Sequence, residues 1–429
     1  MLYRHFRLPI QTLLALLFVF APLHATAEED STTQYRIDKD MIEIPFEYIQ
    51  HEIVLNVTVN EKHKLSLVLD TGATSIVLNK RAGIKGRSTG KAEFKEAEGV
   101  SSGEGIILDN VTLGDDNGKV RISNTVAVLT DTTQLGQILG TKIDGLFGIA
   151  AMAGYIVEID YQKRKVRFYE SSAFNIATRK PDNKTSFLLK LSNMNPLNVI
   201  SVQMIRGNLH EKYDYEFLLD TGFGGYVSVA SSSALESGLM TDKTPRIETG
   251  AYSLTRKFTA YKLRAPYLKV GEMDLAGRTI QVDNRNSGEY ALFGIVGNRF
   301  LQNYSVTIDY LRKRIWLERV IPQDKEEPDD VERRTFGITL RTSGESFRVG
   351  EVTPNSPAHR SGIRSGDTIL AIDGRKLSDM TRQEIVESLL SPEKETTITL
   401  MPGVDPNLGV EFQKVVVRVK PSCPLDWVN

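Results

Sequence analysis

The chain has 429 residues, with 53 Lys and Arg against 54 Asp and Glu, 41% hydrophobic and 25% charged. That is the balance of a globular protein and excludes a disordered, fibrous or multi-span membrane chain, while a net charge of −1 removes the electrostatic case for nucleic-acid binding. One cysteine, Cys423, and six scattered histidines exclude an intramolecular disulfide, cysteine-built metal sites and a histidine metal motif, leaving chemistry to oxygen-bearing side chains.

Residues 1–27 read as a secretory signal. Arg4 and Arg7 give the positive start, residues 13–20 (LLALLFVF) the apolar stretch, and Ala25-Thr26-Ala27 a cleavage site before Glu28. Pro9 and Pro22 leave the stretch short for a membrane helix; an uncleaved N-terminal anchor is the competing reading. No cysteine follows that would carry a lipid. Export without disulfides suits a bacterial periplasm better than eukaryotic secretion. The expected protein is therefore periplasmic or secreted, soluble, and without a membrane span once cleaved.

The next three hundred residues repeat. Leu67-Val68-Leu69-Asp70-Thr71-Gly72 recurs as Phe217-Leu218-Leu219-Asp220-Thr221-Gly222. Gly145-Leu146-Phe147-Gly148 recurs as Gly294-Ile295-Val296-Gly297, and Ile159-Asp160-Tyr161 as Ile308-Asp309-Tyr310. All three pairs keep one register to within a single residue, which points to two copies of one domain. Each copy is rich in short Val-, Ile-, Thr- and aromatic-bearing runs punctuated by Gly, Asn and Asp, the signature of strands. Helix is expected only near residues 132–139 and 231–237. The fold class that follows is mainly β, with two homologous β-barrel lobes at 42–175 and 185–320. Residues 321–334 are charged, contain proline and read as a solvated linker. Residues 335–420 form a last module of strands with one amphipathic helix at 378–390, Ser378 as its N-cap and Ile385, Val386, Leu389 and Leu390 on one face.

Each D-T-G ends a hydrophobic strand, where a carboxylate adds nothing to stability. A single copy would read as an Asx turn. Two copies at homologous positions imply a pseudo-two-fold axis that brings Asp70 and Asp220 together. Two touching carboxyls cannot both ionise and so share a proton. One then serves as general base on water while the other protonates the attacked carbonyl oxygen. Thr71 and Thr221 are placed to hydrogen-bond across the axis and fix the pair.

At these residues the chain resembles the aspartic peptidases, in the bilobal pepsin arrangement with retropepsin-like lobes. Asp70-Thr71-Gly72-Ala73 is similar to the retropepsin D-T-G-A, and Asp220-Thr221-Gly222 to the second catalytic motif. Gly145–Gly148 and Gly294–Gly297 resemble the segments that thread beneath the catalytic loops. The resemblance spans about residues 42–317 and implies catalysis by Asp70 and Asp220, supported by Thr71, Gly72, Thr221 and Gly222, without metal or cofactor. It also implies a β-hairpin flap, at residues 98–107 or 249–258, with Tyr252 as a candidate flap residue; the choice stays open. Ala73 and Phe223 stand where pepsins usually carry a hydroxyl. Without that donor the dyad is expected to hold its proton to higher pH and act towards neutrality; a profile confined below about pH 4 would overturn this. Gly224 and Gly225 replace Thr74 and Ser75, loosening the second loop.

Other motifs point elsewhere less well. Gly99 to Gly103 satisfies G-x-S-x-G, but strand continues where a nucleophile elbow requires a helix. Asp115-Asp116-Asn117-Gly118 lacks the ligands of a calcium loop and reads as a turn. His51, His63, His210 and His359 share no ligand spacing and read as surface residues.

The last module resembles a PDZ domain of the kind attached to bacterial envelope proteases. Thr335-Phe336-Gly337-Ile338 is similar to the carboxylate-binding loop, and Ser356-Pro357-Ala358, Gly362-Ile363 and Gly366-Asp367-Thr368-Ile369 follow the rest of the pattern. The resemblance implies capture of a C-terminal carboxylate by amides at Phe336, Gly337 and Ile338, the peptide adding as a strand; packing on the lobes is the competing role. The reading is an exported aspartic endopeptidase, monomeric, whose PDZ domain recruits or regulates protein substrates. Its rivals are a non-catalytic peptide-binding scaffold on the same fold and lobes that pair between chains. No long inhibitory segment is expected from residues 28–40.

Overall fold

The computed structural model describes residues 7–13, 18–20 and 32–427, except 97–98, 192–203, 211–212, 256, 271–272, 284–293, 330, 344–345, 391 and 404–413. The protein is mainly β. Around each D-T-G a sheet is built in the same spatial order. In the first lobe it runs Arg87–Glu96, Gly99–Asp115, Gly118–Thr130, Ile76–Asn79, Gly145–Phe147, His63–Leu69 and Glu52–Val59. In the second it runs Ile247–Tyr252, Lys257–Arg264, Thr279–Asp283, Val227–Ala230, Gly294–Val296, Tyr213–Leu219 and Met204–His210. The repeat thus carries one topology twice.

A third, six-stranded sheet joins the lobes. At its centre Tyr155–Asp160 pairs antiparallel with Tyr304–Asp309, the two strands that end in the repeated Ile-Asp. Ile156 lies opposite Asp309 and Asp160 opposite Ser305, with Glu158 opposite Thr307 midway. Equivalent residues face each other there, so the pseudo-two-fold axis passes through this pair. A shared apolar core continues across it: Leu67 and Leu69 cluster with Phe217, Leu219 and Val296.

The short helices Thr133–Leu139 and Ser231–Glu236 form where the sequence places them. The longer helix starts later than expected, as Arg382–Leu390. Thr381, not Ser378, caps it: the Glu384 amide donates to Thr381 Oγ1 at 3.2 Å and the Thr381 amide to Glu384 Oε2 at 2.7 Å, a capping box. Ile385 and Leu389 are buried, whereas Leu390 is exposed.

The stretch 321–334 departs most from expectation. Instead of lying in water it is strapped to the second lobe. Glu326 pairs with Arg319 and Arg278 and accepts from Tyr226 Oη. Asp329 takes both its oxygens to Lys262 Nζ at 2.8 Å, and both side chains are buried. Val331 is buried with Ile247 and Leu425. Two of the charges that made this stretch read as solvated, Glu326 and Asp329, anchor it, because each meets an opposite charge on the lobe.

Within the PDZ module, Ile338–Ser343, Ser346–Val352, Thr368–Ile372, Thr396–Met401 and Val415–Val419 form one sheet. The short helix Pro357–Arg360 starts at Ser356, whose hydroxyl accepts from the His359 amide. Beyond the module, Pro424–Trp427 folds back: Leu425 reaches the second lobe and Trp427 Nε1 donates to Ser422 Oγ at 2.7 Å.

The expected signal stretch lies partly outside the described residues, including 21–31 with the cleavage site. Its described pieces are strands: Arg7–Leu13 pairs parallel with Ile247–Tyr252, and Phe18–Phe20 antiparallel with Arg87–Glu96. No helix among the described residues is long and apolar enough to cross a membrane.

Candidate active site

Each aspartate is delivered by a strand that ends beside a crossing segment. Gly145–Phe147 runs parallel to the strand leading into Asp70 and antiparallel to Ile76–Asn79; Gly294–Val296 does the same in the second lobe. The Asp70 amide donates to Phe147 O at 3.0 Å and the Asp220 amide to Val296 O at 2.9 Å. The backbone of each loop is therefore fixed from below before any side chain is considered.

The threonines then tie the loops to each other. Thr71 Oγ1 donates to Leu219 O and Thr221 Oγ1 to Leu69 O, both at 2.7 Å. In return the Thr71 amide donates to Thr221 Oγ1 at 3.1 Å and the Thr221 amide to Thr71 Oγ1 at 3.0 Å. All four bonds are buried, which makes each costly to lose.

The glycines bring the carboxyls close. A Cβ on Gly72 would stand 2.7 Å from the Asp220 carboxyl carbon and both its oxygens; one on Gly222 would stand 2.5 Å from that of Asp70. Any side chain there would push the loops apart. Asp70 Oδ1 accepts from the amides of Gly72 and Ala73 at 2.8 and 2.9 Å, and Asp220 Oδ1 from Gly222 at 2.7 Å. Asp70 and Asp220 are fully buried, each carboxyl lying against the other loop's glycine. Burial first, then the charge of Asp220 and the bond to it, raise the Asp70 carboxyl well above its ordinary value; the two loop amides oppose this.

Two further polar residues adjoin the pair. Glu52 is buried, with Oε2 accepting from Asn298 Nδ2 at 3.3 Å, and Asn298 Nδ2 also donates to Thr221 O at 2.6 Å. Tyr161 Oη donates to Asn298 Oδ1 at 2.7 Å. Neither lies in the D-T-G or G-φ-φ-G motifs. Asn298 had a signal: it stands directly after G-I-V-G, where Ile149 follows G-L-F-G in the first copy. Glu52, at the head of an apolar strand, had none.

Both hairpins considered as flaps are present and they meet. Ser101 Oγ lies 3.2 Å from Thr255 Oγ1. Leu254 is buried in the cluster of the first lobe that holds Ala73, Ala92 and Phe94, with Tyr252 against it. Glu98, at the first tip, lies outside the described residues.

Among the other motifs, residues 99–103 lie in the strand Gly99–Asp115, and Asp115 closes an Asx turn by accepting from the Asn117 amide at 2.8 Å. His51 is half-buried: its Nδ1 is buried and its ring packs edge-on against Tyr48 at 5.9 Å.

At the PDZ loop Phe336 and Ile338 are buried, and Gly337 adopts a φ of 79° that glycine tolerates. The Gly337 amide donates to Thr335 Oγ1 at 3.1 Å, so this amide is already engaged rather than open as expected. Behind the loop a Cβ on Gly337 would come within 2.9 Å of the Trp427 ring.

Residues 55–151 match the family of aspartyl proteases, and residues 326–401 match the PDZ domain. The chain carries an aspartyl-protease-like domain and a C-terminal PDZ domain. It is similar to a carboxy-terminal-processing protease of Bartonella bacilliformis, 30% identical over 101 residues, and covers 23% of that protein's length with 22% of its own. Among solved structures it is similar to an aspartic proteinase from Irpex lacteus, at 14% identity and a TM-score of 0.41, over 67% of this chain and 100% of that one. Soybean basic 7S globulin follows at 11% identity and a TM-score of 0.38, over 65% and 95%.

Proposed function

We propose that the protein is an exported aspartic endopeptidase in which Asp70 and Asp220 form the catalytic dyad. The observation that carries this is the pair of buried carboxyls, each seated on the other loop's glycine. Such a pair holds one proton between them. The ionised partner draws a proton from a water that attacks the peptide carbonyl, and the protonated partner gives its proton to the carbonyl oxygen. The four threonine bonds hold the carboxyls in register, so little reorganisation is needed as charge moves. Thr71, Gly72, Thr221 and Gly222 act by support.

The substrate enters as an extended strand beneath both hairpins. The edges of Arg87–Glu96 and Ile247–Tyr252 each accept an extended segment from the N-terminal stretch, which supports this mode. The PDZ domain binds peptides and recruits protein substrates by their C-termini, which requires Thr335 to release the Gly337 amide; held beside the lobes, a bound substrate gains effective concentration at the cleft. The lobes, strap and PDZ domain follow the boundaries 42–175, 185–320, 321–334 and 335–420, and the signal 1–27 directs the chain out of the cytoplasm.

The test is cleavage of an unfolded protein by wild type, Asp70→Asn and Asp220→Asn. Loss of turnover in both variants, with folding intact, is the expected result. Equal peptide affinity and no turnover in all three would favour a binding scaffold.

A further inference from the structure

Glu52 opens the strand Glu52–Val59, which pairs with the strand leading into Asp70. Its carboxyl nevertheless reaches the other lobe. Oε2 accepts from Asn298, which in turn donates to the Thr221 carbonyl inside the second D-T-G. Oε1 lies against Gly224, where a Cβ would come within 2.9 Å of it. Gly224 has a reason to be glycine, then, other than looseness: its place is filled by the Glu52 carboxyl. In the first lobe the residue equivalent to Asn298 is Ile149, and the backbone contact is the same in both: Ile149 donates to Ala73 O and Asn298 to Phe223 O, each at 2.8 Å. The backbone support is duplicated, while a polar support exists on the second loop.

We propose that Glu52 is a positioning residue for the dyad, holding the second loop through Asn298 and Gly224 and acting electrostatically as a third member of the Asp70–Asp220 pair. This rests on the dyad reading given above. The groups facing Glu52 are Asp220 and Asp70 on the two loops, with Tyr48 and Tyr161 beside it and Arg299 and Glu327 beyond Tyr48; His51 precedes it in the chain. The two loop carboxylates oppose its ionisation. Burial first, then Asp220 and Asp70, push Glu52 well above its ordinary value. While protonated it adds no charge beside the pair. As pH rises it ionises against the pair, and by reciprocity it raises the pH at which the pair gives up its last proton.

Glu52→Gln keeps the shape and can still accept from Asn298 but cannot ionise. Carbon-13 NMR of the side-chain carboxyls follows Asp70 and Asp220 in wild type and Glu52→Gln without reliance on turnover, alongside the pH profile of kcat/KM. The expected result is a downward shift of the upper titration step and of the alkaline limb by about one pH unit, a tenfold change in proton affinity. Superimposed titrations would overturn the proposal even if activity fell, since a purely structural role lowers kcat/KM evenly across pH. Should the variant not fold, wild type alone decides. Two steps at the aspartates, with Glu52 titrating at its ordinary value, would overturn the proposal; linked steps at all three support it. Asp70→Asn separates the two readings: retained cleavage would refute the dyad, while the wild-type titrations still report whether Glu52 is coupled to the pair.

Discussion

The two lobes share a topology strand for strand and differ in what backs their loops. Around Asp70 the crossing segment continues into apolar Ile149, Ala150 and Ala151; around Asp220 it continues into Asn298 and Arg299, with Glu52 reaching across from the first lobe. The bonds that set backbone position are matched pair by pair, at 2.7 and 2.7 Å for the threonine hydroxyls and 3.0 and 2.9 Å for the aspartate amides. Duplication has kept the geometry that aligns the carboxyls and let their surroundings diverge. Symmetric geometry with asymmetric support gives the two carboxyls different surroundings.

The outer faces differ as well, and the strap on the second lobe offers the largest test. Asp329→Ala leaves Lys262 buried and unpaired and is expected to cost about 3–5 kcal/mol, read as a lower midpoint in urea. Burial opposes the Asp329 charge, but Lys262 and Arg299 outweigh it and hold the carboxyl below its ordinary value. A folded-state value below the unfolded one means that this stability is present above the ordinary carboxyl range and is lost as pH falls. A small effect, flat with pH, would mean the strap is merely adjacent.

The matched glycines come next. Gly72→Ala and Gly222→Ala each drive a methyl into the opposite carboxyl and should lower kcat/KM by about a hundredfold, the cost of a misplacement near 1 Å. Similar losses would support the symmetry; a loss at one position alone would break it. Thr71→Val and Thr221→Val test the same axis more gently. Each leaves buried backbone groups unpaired and should destabilise by about 1–3 kcal/mol, nearly equally, in denaturant titrations.

The smallest effect is one of pH. Because the folded-state value of Asp70 is raised, its contribution to stability is fully present below the ordinary carboxyl value of about 4 and is lost as pH rises through the raised value. Asp70→Asn should therefore narrow the fall in Tm between pH 4 and pH 8 relative to wild type. Parallel Tm curves would show that Asp70 titrates as an ordinary carboxyl.

The sequence by itself determined the repeat, the strand-rich lobes, the PDZ module and the residues that end the central strands. These are local: a D-T-G after an apolar run and a G-φ-φ-G in constant register declare themselves wherever the chain folds. Only the tertiary structure decided that residues 321–334 are docked, since ion pairing depends on Lys262, Arg278 and Arg319 arriving from elsewhere. It also decided that Thr381 caps the last helix, that both hairpins meet, and that Glu52 belongs beside Asp220. A carboxyl at the head of an apolar strand carries no mark of its destination. Its meaning comes from Asn298, Thr221 and Gly224, brought to it by an axis that the repeat implies and only folding closes.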